Sequence, residues 1–316
     1  MRKRIRLEEP KQKQTTFEFK SNVVKDKIGF AMPTYNRIIY LYRALESIKK
    51  QCKGIDYHVY IVEDCSAKQE AVFHLIDELK DLLRYNRVSI ISNGENKGLG
   101  YSWKRAGQWA AADGCEFVIF CDDDIEMMPD KAAVIHELVS VMREDKNKEI
   151  GFVAPTGSYM RKFLSEERKA GIKYKFVSSC GGGFGMARPE AAEYIGWHDP
   201  NCRRAVDVDF CLRMWLSGKA CALTLDKQVY HKTHKAGGLD YPKDRTDPRN
   251  EAWQQYLIDK FDPIVSRNKK GHLLFWRAFK SMSPDVLLAL RRRVLNKDDM
   301  SIEQAETWLK GVNSIA

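Results

Sequence analysis

The sequence predicts an α/β protein whose mostly parallel central sheet is flanked by helices and followed by a C-terminal helical extension. Three observations carry this: apolar runs alternate with amphipathic stretches between residues 28 and 121, each such run opens into a polar loop, and the chain past residue 251 reads as helical. At 316 residues the chain can bury one large α/β core with an added segment. Its apolar runs all fall short of the roughly 18 to 20 residues that cross a bilayer, so no transmembrane anchor is expected.

The run IGFAMP at residues 28–33 is stopped by Pro33 and followed by the turn-like TYNR, which reads as a buried strand and its exit loop. Residues 38–51 place Ile38, Leu41, Leu45 and Ile48 at helical spacing. Strand signals return in YHVYIVEDC at 57–65 and RVSIIS at 87–92, separated by an amphipathic helix at 71–83. A helix at 99–112 then leads into CEFVIFC at 115–121, which ends in DDDIEMMPD. Parallel strands in this order bring their carboxyl ends to one edge of the sheet, so the loops that follow them should share a cleft.

Beyond a helix at 130–143, IGFVAPTG and KYKFVSSCGGGFGMA suggest further strands in a mixed part of the sheet. Val208, Cys211, Leu212 and Trp215 at three- and four-residue spacing, closed by Gly218, predict a helix over about 207–217. Residues 235–250 are rich in turn formers and read as a mobile surface loop, and QYLIDKF, GHLLFWRAFK and PDVLLALRRRVL after them read as helices.

Charge divides the chain into parts. Lys and Arg total 53 against 43 Asp and Glu, a formal net of +10. Residues 1–27 hold nine basic and four acidic side chains and residues 260–299 hold ten and four, while residues 28–259 hold 33 of each. The reading is therefore a basic N-terminal tail at 1–27, a catalytic domain at 28–259 and a basic helical extension at 260–316. The charged ends would dock on an anionic surface or polymer, bind a partner or keep the chain soluble. The opening MRKRIRLEEP lacks the apolar stretch of a signal peptide, and the eight cysteines form neither a CxxC pair nor a dense framework. Free, mostly buried thiols in a cytoplasmic setting are expected, with peripheral contact to the inner face of a membrane as an option.

Asp122, Asp123 and Asp124, directly after an apolar strand, are the strongest chemical signal. Like charges packed this closely repel, and an unpaired buried carboxylate is costly, so a divalent cation is the natural partner. Oxygen ligands at a strand end suit Mg²⁺ or Mn²⁺. Alternation along an extended end selects Asp122 and Asp124 rather than neighbours. Asp64 ends an earlier strand in the same orientation, where it either accepts a hydrogen bond from a nucleobase N–H or caps the next helix. The segment NGENKGLGYSWKRAG places Gly94, Gly98 and Gly100 before a helix and can bring backbone N–H groups, Lys104 and Arg105 to a diphosphate. It matches neither the P-loop nor GxGxxG, which argues against ATP hydrolysis and NAD chemistry.

In this order, four segments resemble the GT-A glycosyltransferases, in particular glycosyltransferase family 2, over roughly residues 28–235. IGFAMPTYNR is similar to the family's first strand and nucleotide-binding loop, which implies donor contacts for Pro33, Tyr35 and Arg37. VEDCS resembles its paired acidic motif and implies that Asp64 meets a uracil imide. NKGLGYSWKRAG resembles its glycine and Arg/Asn loop, implying donor contacts for Gly98, Lys104 and Arg105. FCDDDI resembles the DxD motif, implying metal contact for Asp124, metal or ribose contact for Asp122, and a donor-side place for Asp123.

The later chain agrees with the same resemblance. SSCGGGFGMARPEAAEYIGWHD resembles an acceptor-side segment in which Gly182 and Gly183 make room for the donor sugar, Trp197 stacks on a sugar ring and His198 lines the site. In VDVD, Asp207 falls where the family carries a catalytic base and Asp209 is the alternative base or a helix cap, with Val206 departing from the usual Glu. HKTH then supplies His231, ahead of His234, to the metal or the diphosphate. The activity so implied is a metal-dependent, inverting transfer of a hexose from a nucleotide sugar, UDP-linked, to a hydroxyl on a glycan or cell-surface polymer. Three other readings stand beside it: transfer to hydroxymethylated bases of DNA held by the basic ends, sugar-phosphate nucleotidyl transfer, and noncatalytic binding of a nucleotide sugar or polyanion.

Overall fold

The computed structural model describes residues 24–83, 87–127, 134–156, 163–169, 172–180, 183–202, 204–231, 248–267, 273–275 and 282–315. Four strands, β1 (Val24–Thr34), β2 (Asp56–Glu63), β3 (Val88–Ser92) and β4 (Cys115–Cys121), run parallel in the order β3-β2-β1-β4. The crossovers are α1 (Ile38–Gln51), α2 (Gln69–Leu83) and α3 (Leu99–Ala112). Helices cover both faces of such strands, which explains runs without alternation: Phe30, Ala31 and Met32 are all buried, as are Val118, Ile119 and Phe120. α1 turns Leu41, Ala44, Leu45 and Ile48 inward as its spacing requires. α3 lies close because its inner face is small; a Cβ at Gly107 would come within 2.8 Å of Trp197 and 2.9 Å of Phe120.

The second half of the ten-stranded sheet is mixed. β6 (Ile150–Thr156) and β10 (Ala220–His231) pair in parallel, and β9 (Phe184–Ala187) lies antiparallel between β4 and β6. β8 (Ile172–Val177) and β7 (Phe163–Lys169) extend the β10 side in antiparallel fashion. The short β5 (Ile125–Met127) leaves the main path to pair with the end of β10. α4 (Val134–Glu144) precedes β6, and α5 (Pro189–Tyr194) follows β9. α6 (Val206–Leu216) is enclosed on nearly every side, with Asp209 and Arg213 buried among its apolar residues and paired with each other. After α7 (Pro248–Phe261) come β11 (Val265–Arg267), β12 (Leu273–Phe275), α8 (Pro284–Leu295) and α9 (Ile302–Ile315).

The α/β class, the helix-flanked sheet and the helical C-terminal extension match expectation. The parallel character is concentrated in β1 to β4 and in the β6–β10 pair, while β7, β8 and β9 make the sheet mixed. The helix expected through GHLLFWRAFK is corrected at Leu273–Phe275, a strand paired antiparallel with Val265–Arg267. Short apolar runs satisfy either period, and here the neighbouring backbone decides. β1 starts at Val24 rather than at residue 28, and α7 runs across the expected boundary after residue 259. The tail at residues 1–23, the segment 232–247 with His234, and Gly182 lie outside the described residues. All eight cysteines are free and seven are buried, Cys65 being the half-exposed one. Among the described residues, no helix is long and apolar enough to cross a membrane.

Candidate active site

The carboxyl ends of β1, β2 and β4 meet at one edge of the sheet. Register places Thr34 beside Glu63 and Glu63 beside Ser92, so the loops after these strands start level with one another. Three consecutive aspartates leave the end of β4 and separate into two roles. Asp123 turns toward β1, accepting a hydrogen bond from Thr34 Oγ1 at 2.8 Å and one from Arg37 Nη1 at 3.2 Å. Asp122 and Asp124 face the end of β10, where His231 Nε2 lies 3.8 Å from Asp122 Oδ2 and 3.0 Å from Asp124 Oδ1. Arg37 Nη1 closes the other side of Asp124 at 2.9 Å from Oδ2.

His231 reaches this place through strand pairing: β10 and β5 run antiparallel with His231 opposite Ile125, one residue beyond Asp124. One ligand atom from each of Asp122, Asp124 and His231 lies within 4.8 Å of the others. Two carboxylates and an imidazole form a donor set that suits Mn²⁺ or Mg²⁺, with further positions left for a substrate oxygen or water.

The electrostatics agree with that fit. Burial, reinforced by the Asp124 charge, pushes Asp122 up to about 8. Asp123 is pushed up to about 6 by burial, with Arg37 pulling it back. Burial also works upward on Asp124, but the hydrogen bond and charge of His231, together with Arg37, outweigh it and hold Asp124 below its ordinary value. For His231, burial works downward and is outweighed by Asp124 and Asp122, so the imidazole lies above its ordinary value. The site is thus overloaded with negative charge, which a divalent cation relieves.

Gly183 shapes the floor of the cluster. Its carbonyl accepts the Asp122 N–H at 2.7 Å. Its φ of +70° belongs to the left-handed region, and a Cβ there would overlap the Asp122 carboxylate. The space expected for donor sugar is space that Asp122 uses. Cys180, three residues earlier, lies near Asp207: burial, Cys211 and then the Asp207 charge push its thiol well above the ordinary value. Asp207 lies in the first turn of α6 and is half-buried.

Other expected residues take structural positions. Asp64 is 4% exposed, and its two oxygens accept from Asn93 Nδ2 at 2.7 Å, Lys97 N at 2.8 Å and Gly98 N at 2.8 Å. Those donors organise the turn into α3, where Gly98 has φ +87°, so Asp64 holds this loop. Arg105 donates to Ser92 O at 2.7 Å and Asn93 Oδ1 at 2.8 Å, bracing the same loop, and Lys104 is half-buried one residue before it. Pro33 is buried, and Tyr35 and Arg37 are half-buried at the cleft edge.

Trp197 and His198, expected on the acceptor side, are corrected to core residues. Trp197 is 1% exposed and its indole N–H donates to Glu193. His198 is 2% exposed and stacks on Phe210 at 4.3 Å, with burial and then Arg213 holding it well below its ordinary pKa. Both rings gain more from aromatic packing than an open loop would give. Asp209 is fully enclosed between Arg213 Nη2 and Lys260 Nζ, each at 2.5 Å. Thr34, Asn93 and Lys260 had no signal in the sequence, because each acts on a partner brought near only by folding.

Residues 30–154 match the model of glycosyl transferase family 2. No curated protein matches the chain. Among solved structures, GalNAc-T7 with UDP, GalNAc and Mn²⁺ superposes with a TM-score of 0.53 at 16% identity, covering 67% of this chain and 44% of that one. The chain thus spans less than half the length of that protein. Mannosyltransferase PcManGT from Pyrobaculum calidifontis, in complex with GDP-Man and Mn²⁺, gives 0.52 at 14% identity over 92% of this chain and 76% of its own. The fold is GT-A-like, resembling glycosyltransferase family 2.

Proposed function

With a GT-A-like glycosyltransferase fold as the premise, we propose that the protein transfers a sugar from a nucleotide sugar to an acceptor hydroxyl with the help of a divalent cation. The observation that carries this is the convergence of Asp122, Asp124 and His231 at the carboxyl edge of the sheet, where ligands of such folds collect. These three residues would hold Mn²⁺ or Mg²⁺, which when bound supplies charge stabilisation for a leaving diphosphate. Thr34 and Arg37 fix Asp123, and Arg37 also steadies Asp124, so the ligands are oriented before a donor arrives.

Asp207 is the base in this reading. It is half-buried in the first turn of α6 and its charge is felt at Cys180, three residues before Gly183, and both oxygens of Asp209 are engaged by Lys260 and Arg213. One carboxylate that removes the acceptor proton during a single displacement gives inversion at the anomeric carbon. A UDP-linked hexose is the proposed donor and a glycan or surface-polymer hydroxyl the proposed acceptor. Of the three C-terminal arginines that could dock on an anionic polymer or DNA, Arg291 is 2% exposed and serves the fold, while Arg292 and Arg293 are exposed.

A transfer screen read by mass spectrometry tests the proposal, offering UDP- and GDP-sugars with Mn²⁺ against oligosaccharides, teichoic acid and hydroxymethylated DNA. Product formation that needs metal and is lost in Asp124→Asn is expected. Absence of transfer and of donor hydrolysis across the panel, with nucleotide still bound, would move the protein to the noncatalytic reading.

A further inference from the structure

α6 begins without a local cap. Ala205, at its N-terminal boundary, has a left-handed φ of 51° and the boundary has no side-chain cap hydrogen bond. Its first turn is instead held by tertiary contacts through Asp209, which is 0% exposed. Lys260 reaches this carboxylate from α7, with Nζ 2.5 Å from Asp209 Oδ1 and 2.5 Å from Asp199 Oδ2. The same ammonium lies 5.5 Å from the centre of the Tyr256 ring and 5.4 Å from that of Phe261, and the Tyr256 hydroxyl donates to Asp199. Arg213, the other partner of Asp209, donates to the carbonyls of Ile195 at 2.7 Å and Trp197 at 2.5 Å. Two carboxylates and two cations therefore close a neutral network around the first turn of α6.

The far end of α6 is held by the same extension. Arg291 of α8 donates to the carbonyl of Leu216, the last residue of α6, one of the carbonyls a helix end leaves without an internal partner. It also donates to Tyr194 Oη and Asp299 Oδ1, both at 2.7 Å. Arg293 ties α8 to the end of α7 through the carbonyls of Lys260 and Asp262. A half-buried Lys260 at one end and a buried Arg291 at the other hold the helix in a way that exposed docking charges do not.

We infer that the C-terminal extension is a brace for α6, with Lys260 fixing its first turn, and Asp207 within it, and Arg291 fixing its last. The assignment of Lys260 as a positioning residue rests on the proposed role of Asp207. An isolated Lys260→Met change would strand two carboxylates, so the test pairs it with Asp199→Asn and uses Tyr256→Phe as a milder loosening of the same contact. Amide hydrogen exchange over residues 205–210, measured without metal or donor, should quicken by roughly tenfold in the double variant and less in Tyr256→Phe. Turnover of a nucleotide sugar should lose roughly tenfold in kcat with donor KM and Mn²⁺ affinity held within about twofold, and Lys260→Arg should recover most of the rate.

Unchanged exchange over residues 205–210 overturns the brace. Faster exchange with wild-type kcat overturns the positioning role, as does a loss of Mn²⁺ affinity in step with kcat, which marks general damage. If the wild-type protein turns over no nucleotide sugar, the functional reading fails while the exchange result still decides whether the extension holds α6.

Discussion

Replacing Asp122 with Asn should stabilise the metal-free protein at high pH and abolish its stabilisation by metal. In the folded chain the Asp122 carboxyl is pushed from 3.8 to about 8, chiefly by burial and then by Asp124. A raised acid pKa means the folded state keeps a proton that the unfolded chain has released. The resulting stability is fully present below the unfolded value of 3.8 and is lost as pH rises through about 8. About four units at roughly 1.4 kcal/mol each set a ceiling of about 6 kcal/mol. The side chain is 20% exposed, and solvent screening reduces this to about 2–3 kcal/mol.

Thermal unfolding in EDTA and in Mn²⁺ across this range gives the measurement. In EDTA, wild type and Asp122→Asn should behave alike below about pH 4 and diverge progressively above it, by about 5 °C near about pH 8, the variant being higher. Mn²⁺ should displace the Asp122 proton and raise the wild type increasingly with pH, leaving the variant unmoved. A gap between the two proteins that stays constant with pH would refute the reasoning, since it would mean that Asp122 ionises without penalty.

Other substitutions separate neighbouring roles. Gly183→Ala should cost about 1–2 kcal/mol for its left-handed backbone and lower Mn²⁺ affinity, measured by calorimetry, by roughly tenfold or more, because the new methyl displaces Asp122. Asp207→Asn should keep its melting temperature and bind UDP with Mn²⁺ normally while transfer falls by roughly a hundredfold or more. Asp209→Asn should instead unfold more easily, by about 3 kcal/mol in urea, since it leaves the buried Arg213 with a neutral partner and Lys260 with Asp199 alone. Arg292→Glu, at a side chain 62% exposed, should change stability by less than about 0.5 kcal/mol, and Arg291→Glu, in the buried contact with Leu216 and Asp299, by about 3 kcal/mol or more.

The contrast between these variants follows from what local sequence encodes. Period and composition announce β1 to β4 and their crossovers, because each strand carries an apolar run and each helix turns one stripe inward. They also announce the aspartates at the end of β4, since three adjacent carboxylates after an apolar run need an explanation wherever they fall. The polar β7 and the three-residue β5 carry no such pattern, and β12 exists because β11 lies beside it.

Partnership across long separations was decided only by the tertiary structure. His231 joins Asp122 and Asp124 through the β5–β10 pairing, more than a hundred residues after them in the chain. The same folding enclosed Trp197 and His198, turned three protein N–H groups onto the oxygens of Asp64 and locked Asp209 between two cations. Residue type states what a side chain is able to do. Burial and the charges gathered around it determine which of those things remains open, and these depend on segments that meet only when the sheet and its C-terminal extension are assembled.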